Sequence, residues 1–158
     1  MRHPAAEKEP DMQRIFKVMR TFIGIVFAAI AACQPALAAD EALAIKGYDP
    51  VAYFIDGKPT RGRADIQLTW DERRYQFASE ENRARFKADP VRYAPQFSDY
   101  CAMALSKGEL VEANPENWTI ADGKLYIFGK SMGPELFRKD VAANQVKAEG
   151  NRKLLPAK

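Results

Sequence analysis

The residues that most limit this fold are those expected to take no part in it. Thr21 to Ala32 (TFIGIVFAAIAA) is an apolar run, preceded by Arg14, Lys17 and Arg20 and followed by small residues at Ala36 and Ala38. A positive region, a short apolar stretch and a small-residue site are the parts of a secretory signal peptide. The run falls short of the roughly 20 apolar residues that a membrane span requires. The sequence therefore predicts cleavage after Ala38 and a periplasmic or secreted chain with no membrane span. Ile30-Ala31-Ala32-Cys33 also has the form of a lipobox, and the alternative is a lipid anchor through Cys33. No twin arginine precedes the run, which favours export in the unfolded state.

Removing residues 1 to 38 leaves roughly 120 residues, enough for one core and one domain. Five Lys/Arg and three Asp/Glu leave with that segment, so the formal charge falls from +3 to +1. A basic-protein argument for nucleic acid disappears, and no nucleic-acid partner is expected. His3, the only histidine, leaves as well. Serine and cysteine triads of the usual kind and most zinc sites need an imidazole and are excluded for the mature chain. Cys101 is then the sole cysteine and has no internal disulfide partner, so stability must come from packing.

Along the mature chain, Gly47-Tyr48-Asp49-Pro50 reads as a turn, with the Asp49 side chain holding it. Val51 to Phe54 reads as a brief apolar strand. Ile66, Leu68 and Trp70 alternate with polar residues, as do Tyr75 and Phe77, which predicts a hairpin closed at Asp71 to Arg74. Ser79 is placed to cap a helix over Glu80 to Ala88, and Pro90 suits the first turn of the next one. Tyr100 to Ser106 reads as a short helix capped by Asp99. Asp122-Gly123 between Trp118-Thr119-Ile120 and Leu125 to Phe128 is a strong hairpin signal. A final helix is expected from Pro134 to Ala148, then a frayed polar tail over residues 150 to 158. The fold class that follows is α+β, with a small antiparallel sheet of about four to five short strands, short helices packed on it, and a C-terminal helix.

Residues 75 to 93 carry the spacing Tyr75-x-Phe77-Ala78-Ser79-x-x-Asn82-x-x-x-Phe86-x-x-x-Pro90-x-x-Tyr93. With Gly47 to Phe54 upstream and Tyr100-Cys101-Ala102 downstream, this resembles the YHS domain, in particular its exported, stand-alone bacterial form. The resemblance implies a single YHS-like domain over residues 39 to 149. It is informative for fold and says little of function. YHS modules that accompany metal transporters resemble metal binders through cysteines at positions held here by Ala78 and Asn82. Neither residue can replace a thiolate, so the stretch keeps the aromatic and proline skeleton without the soft ligands.

Three groups of residues could still carry chemistry. Cys101, read into the first turn of a helix, would have its thiolate favoured by the helix dipole, and a thiol-dependent redox enzyme is one alternative. Thioether and thiolate together suit Cu(I), so Cys101 with Met103 is the candidate metal pair, Met132 being a further donor. Residues two apart do not share a helix face, however, which favours core filling for Met103. Tyr48, Tyr53, Tyr75, Tyr93 and Tyr100, with Cys101, form the candidate ligand-binding set, because tyrosines offer a ring to pack and a hydroxyl to bond. Arg83, Arg85, Lys87 and Arg92 are interspersed with Glu80, Glu81 and Asp89 and read as a solvated face. The leading expectation is a non-enzymatic binding or accessory module, its partner a small ligand or a protein. Copper handling is the alternative.

Overall fold

The computed structural model describes residues 41 to 155. The expected signal segment with Cys33, and the last three residues of the tail, lie outside the described residues. Among those described, no helix is long and apolar enough to cross a membrane.

Two hairpins organise the α+β fold. The first joins β2 (Arg63–Trp70) to β3 (Arg73–Phe77), antiparallel, with Leu68 opposite Tyr75. Asp71 and Glu72 close it at φ 54° and 59°, the two positive values of a turn whose twist matches the strands. The two-residue strand β1 (Ala42–Leu43) pairs with the other edge of β3 in parallel. The second hairpin joins β4 (Asn114–Ala121) to β5 (Lys124–Phe128) through Asp122-Gly123.

The expected single antiparallel sheet is thus two sheets, of three and two strands, and one pairing is parallel. Pro95 forms one isolated bridge with Leu125 at the free edge of β5. Proline has no N–H to donate, so a ladder cannot grow along that edge.

β5 is buried on both faces, and its alternation divides the interior. Leu125 and Ile127 join Val51, Tyr53, Phe77 and Phe86 in one cluster. Tyr126 and Phe128 join Phe97, Leu105 and Phe137 in another. Successive strand side chains point to opposite faces, so four consecutive apolar residues serve two cores.

The helices follow their caps. Ser79 accepts from the Asn82 N–H at the start of α2 (Glu80–Ala88), as the sequence predicts, and Pro90 stands in the first turn of α3 (Pro90–Tyr93), where Asp89 accepts from Arg92 N–H. Val51 to Phe54 is not a strand: Ala52–Ile55 is the single helical turn α1. The Asp49 carboxylate takes the N–H groups of Val51 and Ala52, and this fixes a turn where the apolar run alone suggested extension.

Further departures occur downstream. The helix expected over Tyr100 to Ser106 is the shorter α4 (Ala102–Leu105), capped by Cys101 rather than Asp99. Asp99 is drawn instead to Ile45 N–H and Arg73. The long C-terminal helix is broken into α5 (Gly133–Arg138) and α6 (Val141–Gly150). Asp140 causes the break, since its carboxylate accepts from Ala143 N–H and caps α6. The tail is ordered through Leu155: Asn151 donates to Leu105 O at 2.9 Å, and Arg152–Leu154 forms a 3-10 turn.

Candidate functional site

One cleft of about 390 Å³ opens beside the first hairpin. Its wall comes from three stretches far apart in sequence. The hairpin turn supplies Trp70, Asp71, Glu72, Arg73 and Tyr75; α3 and the loop after it supply Val91, Ala94, Pro95, Gln96, Ser98 and Tyr100; the ordered tail supplies Arg152 and Leu155. The volume falls within the usual range for small-ligand sites, roughly 300 to 1,000 Å³.

Packing fixes the aromatic side. Tyr75 is buried, 4.7 Å from the Phe86 ring and 6.2 Å from Trp70 between centroids. Burial pushes the Tyr75 phenol up to about 12. Trp70 also meets Phe86 edge-on at 6.0 Å, so the indole is held on two sides. Such pairs prefer tilted or edge contacts, and the cleft's aromatic wall is therefore preformed.

The polar side is equally constrained. Arg73 pairs with Asp99, whose other oxygen accepts from Ile45 N–H at 2.6 Å. Arg152 makes a bidentate pair with Glu149 at 2.7 and 2.8 Å, donates to Gln96 O at 3.2 Å, and lies 5.2 Å from the Phe97 ring. The Arg152 bond holds the Glu149 carboxyl below its ordinary range. Ser98 has φ 53°, a left-handed conformation unusual for a residue with a side chain. Strain of this kind persists where surrounding contacts over-determine the backbone.

Of the tyrosines singled out from sequence, the structure brings Tyr75 and Tyr100 to the cleft. Tyr48 and Tyr53 form a separate group. The Tyr48 hydroxyl donates to the Glu116 carboxylate with Arg61 stacked 4.2 Å from its ring, and Tyr53 donates to Pro115 O at 3.0 Å. The Glu116 bond raises the Tyr48 phenol, and burial raises that of Tyr53. Tyr93 is buried edge-on against Phe54 at 5.3 Å.

Cys101 is buried in the second core and its Sγ accepts from Ala104 N–H at 3.4 Å. Met103 packs half-buried on the same cluster, and Met132 is exposed. Among the described residues, no three or more His, Cys, Asp or Glu side chains converge as a metal would require. Ala78 and Asn82 serve another contact. Ala78 N–H and the Asn82 side-chain amide both donate to Asp49 Oδ2, at 2.8 and 2.7 Å. No protein-family model, curated protein or solved structure matches this chain.

Sequence reasoning missed Arg73, Gln96, Ser98 and Arg152. The available signal was weak: two arginines following an acidic turn beside Trp70, and a polar stretch between Phe97 and Tyr100. Arg152 gave none, because its segment reads as a polar tail.

Proposed function

We propose that this chain is an exported, non-catalytic binding or accessory module of the YHS kind, with its ligand in the Trp70–Tyr100 cleft. The observation that carries the reading is the cleft itself. It joins preformed aromatic faces to a few oriented polar groups, the combination by which small organic molecules are held and aligned. The Tyr75 to Tyr93 spacing supports the family reading, and the segment Arg14 to Ala38 supports export. Cys101 does not line the cleft, so a thiol-centred reaction there has no placement.

The two tryptophans make a direct test. Trp70 lines the cleft, whereas Trp118 packs against Tyr53 at 5.2 Å in the first core. Indole N–H resonances are followed by NMR while neutral, anionic and cationic fragments are added, with Trp70→Phe for assignment. Binding in the cleft moves the Trp70 signal and leaves Trp118 in place. A Trp70 signal unmoved by every class of fragment overturns the reading.

A further inference from the structure

The charges of the cleft wall point to a ligand class, an inference that rests on the binding role just proposed. Arg73 is paired with Asp99, and Arg152 is held by both oxygens of Glu149; neither carboxylate belongs to the wall. Each guanidinium therefore meets its counter-charge in a residue outside the wall. Asp71 is engaged as well, and Glu72 is exposed in the hairpin turn, where water screens it. Tyr75 senses the balance from the wall itself. Burial dominates its titration, but Arg73 lowers the phenol and Asp71 raises it, opposite effects on one hydroxyl.

A charged ligand entering the cleft leaves water and meets charges that are already paired or screened. An anion reaching Arg73 or Arg152 is repelled by the carboxylate bonded there, and a cation reaching Asp99 or Glu149 is repelled by that carboxylate's arginine. Taking an ion out of water without a counter-charge is costly, whereas a neutral polar group needs only a hydrogen bond. The rest of the wall suits a neutral body. Trp70, Tyr75, Val91 and Leu155 give it aromatic and apolar surface, and Gln96 and Ser98 bring polar groups without charge.

We propose that the cleft holds an uncharged organic molecule whose flat, apolar body lies beside Trp70, and that it discriminates against cations and anions of the same size. Three probes share a phenyl ring on a short chain and differ in charge: phenylacetamide, phenylacetate and phenethylammonium. Each is titrated into the folded protein while the Trp70 indole N–H is followed by NMR. Phenylacetamide is expected to bind at least about tenfold more tightly than either ion. Glu149→Gln removes the carboxylate that occupies Arg152, from an exposed position outside the cleft wall. In that variant the affinity of phenylacetate relative to phenylacetamide should rise about threefold, the scale of one exposed ion pair. A charged probe that binds the parent protein as tightly as phenylacetamide, or more tightly, overturns the inference and leaves the cleft reading standing. An unchanged ratio in Glu149→Gln does the same, since pairing would not then be what excludes the anion. Silence at Trp70 with all three probes removes both readings.

Discussion

The Asn82 side-chain amide donates a 2.7 Å hydrogen bond to the Asp49 carboxylate, thirty-three residues earlier in the chain. Asp49 is fully buried and accepts three further bonds, from the backbone N–H groups of Val51, Ala52 and Ala78. One carboxylate thus starts α1, ends β3 and anchors the first turn of α2. A buried carboxyl group persists only when its lone pairs are taken in this way.

Asp49→Asn should therefore cost about 3 kcal/mol or more, because an amide cannot accept from four donors and turns its own N–H toward some of them. Asn82→Ala should cost about 1–3 kcal/mol, the loss of one charge-assisted bond at a buried site. The exchange Asp49→Asn with Asn82→Asp should not rescue stability, since the three backbone donors stay where they are. Urea unfolding midpoints with unchanged slopes measure all three. An exchange variant as stable as the parent would show that the side-chain pair, rather than the backbone clasp, carries the energy.

What could be read from the sequence was what neighbouring residues decide. Asp122-Gly123 and the alternation around Trp70 and Tyr75 specify hairpins locally, Ser79 caps a helix within three residues of itself, and Pro90 marks the first turn of the next. Val51 to Phe54 was misread because four apolar residues fit a strand or a buried helical turn equally. Asp99 was assigned to the nearest helix, yet its partners Ile45 and Arg73 lie 54 and 26 residues away. The cleft was illegible for the same reason. Its walls meet only after residues 70 to 75, 91 to 100 and 152 to 155 have folded together.

Tyr126 places its hydroxyl in the second core with no hydrogen-bond partner among the described residues. A hydroxyl buried without a partner costs free energy that its ring does not require. Tyr126→Phe keeps the ring contacts with Phe97 and Phe137 and removes the hydroxyl. It is expected to raise stability by about 1 kcal/mol. A fall of that size in the thermal midpoint would reveal a bond to the hydroxyl and refute this assignment.

Cys101 is expected to react slowly. Its thiol is buried in the second core and takes the Ala104 N–H, so iodoacetamide must wait for the protein to open. Labelling should track stability: added urea below the unfolding transition accelerates it, and Tyr126→Phe slows it. Cys101→Ala should cost about 1 kcal/mol through the lost cap. Rapid modification of the native protein, independent of urea, would return the thiol-enzyme reading to the front.

Tyr75 contributes to the alkaline limit of the fold at the cleft wall. Its phenol is raised to about 12 in the folded protein, chiefly by burial, whereas an exposed tyrosine titrates near 10. The neutral form is the one the fold favours. Its contribution is fully present below pH of about 10, declines as the unfolded chain ionises, and is gone once the pH passes about 12. Tyr53 and Tyr126 are raised by burial too and add to the same loss. Tyrosinate absorbance from Tyr75, Tyr53 and Tyr126 should thus rise only as the protein unfolds. Tyr75→Phe retains the contacts with Trp70 and Phe86 and removes one ionisation, so the alkaline transition should move to higher pH. If that variant unfolds at the same pH as the parent, Tyr75 ionisation does not drive the transition, and the burial of its hydroxyl at the cleft wall is contradicted.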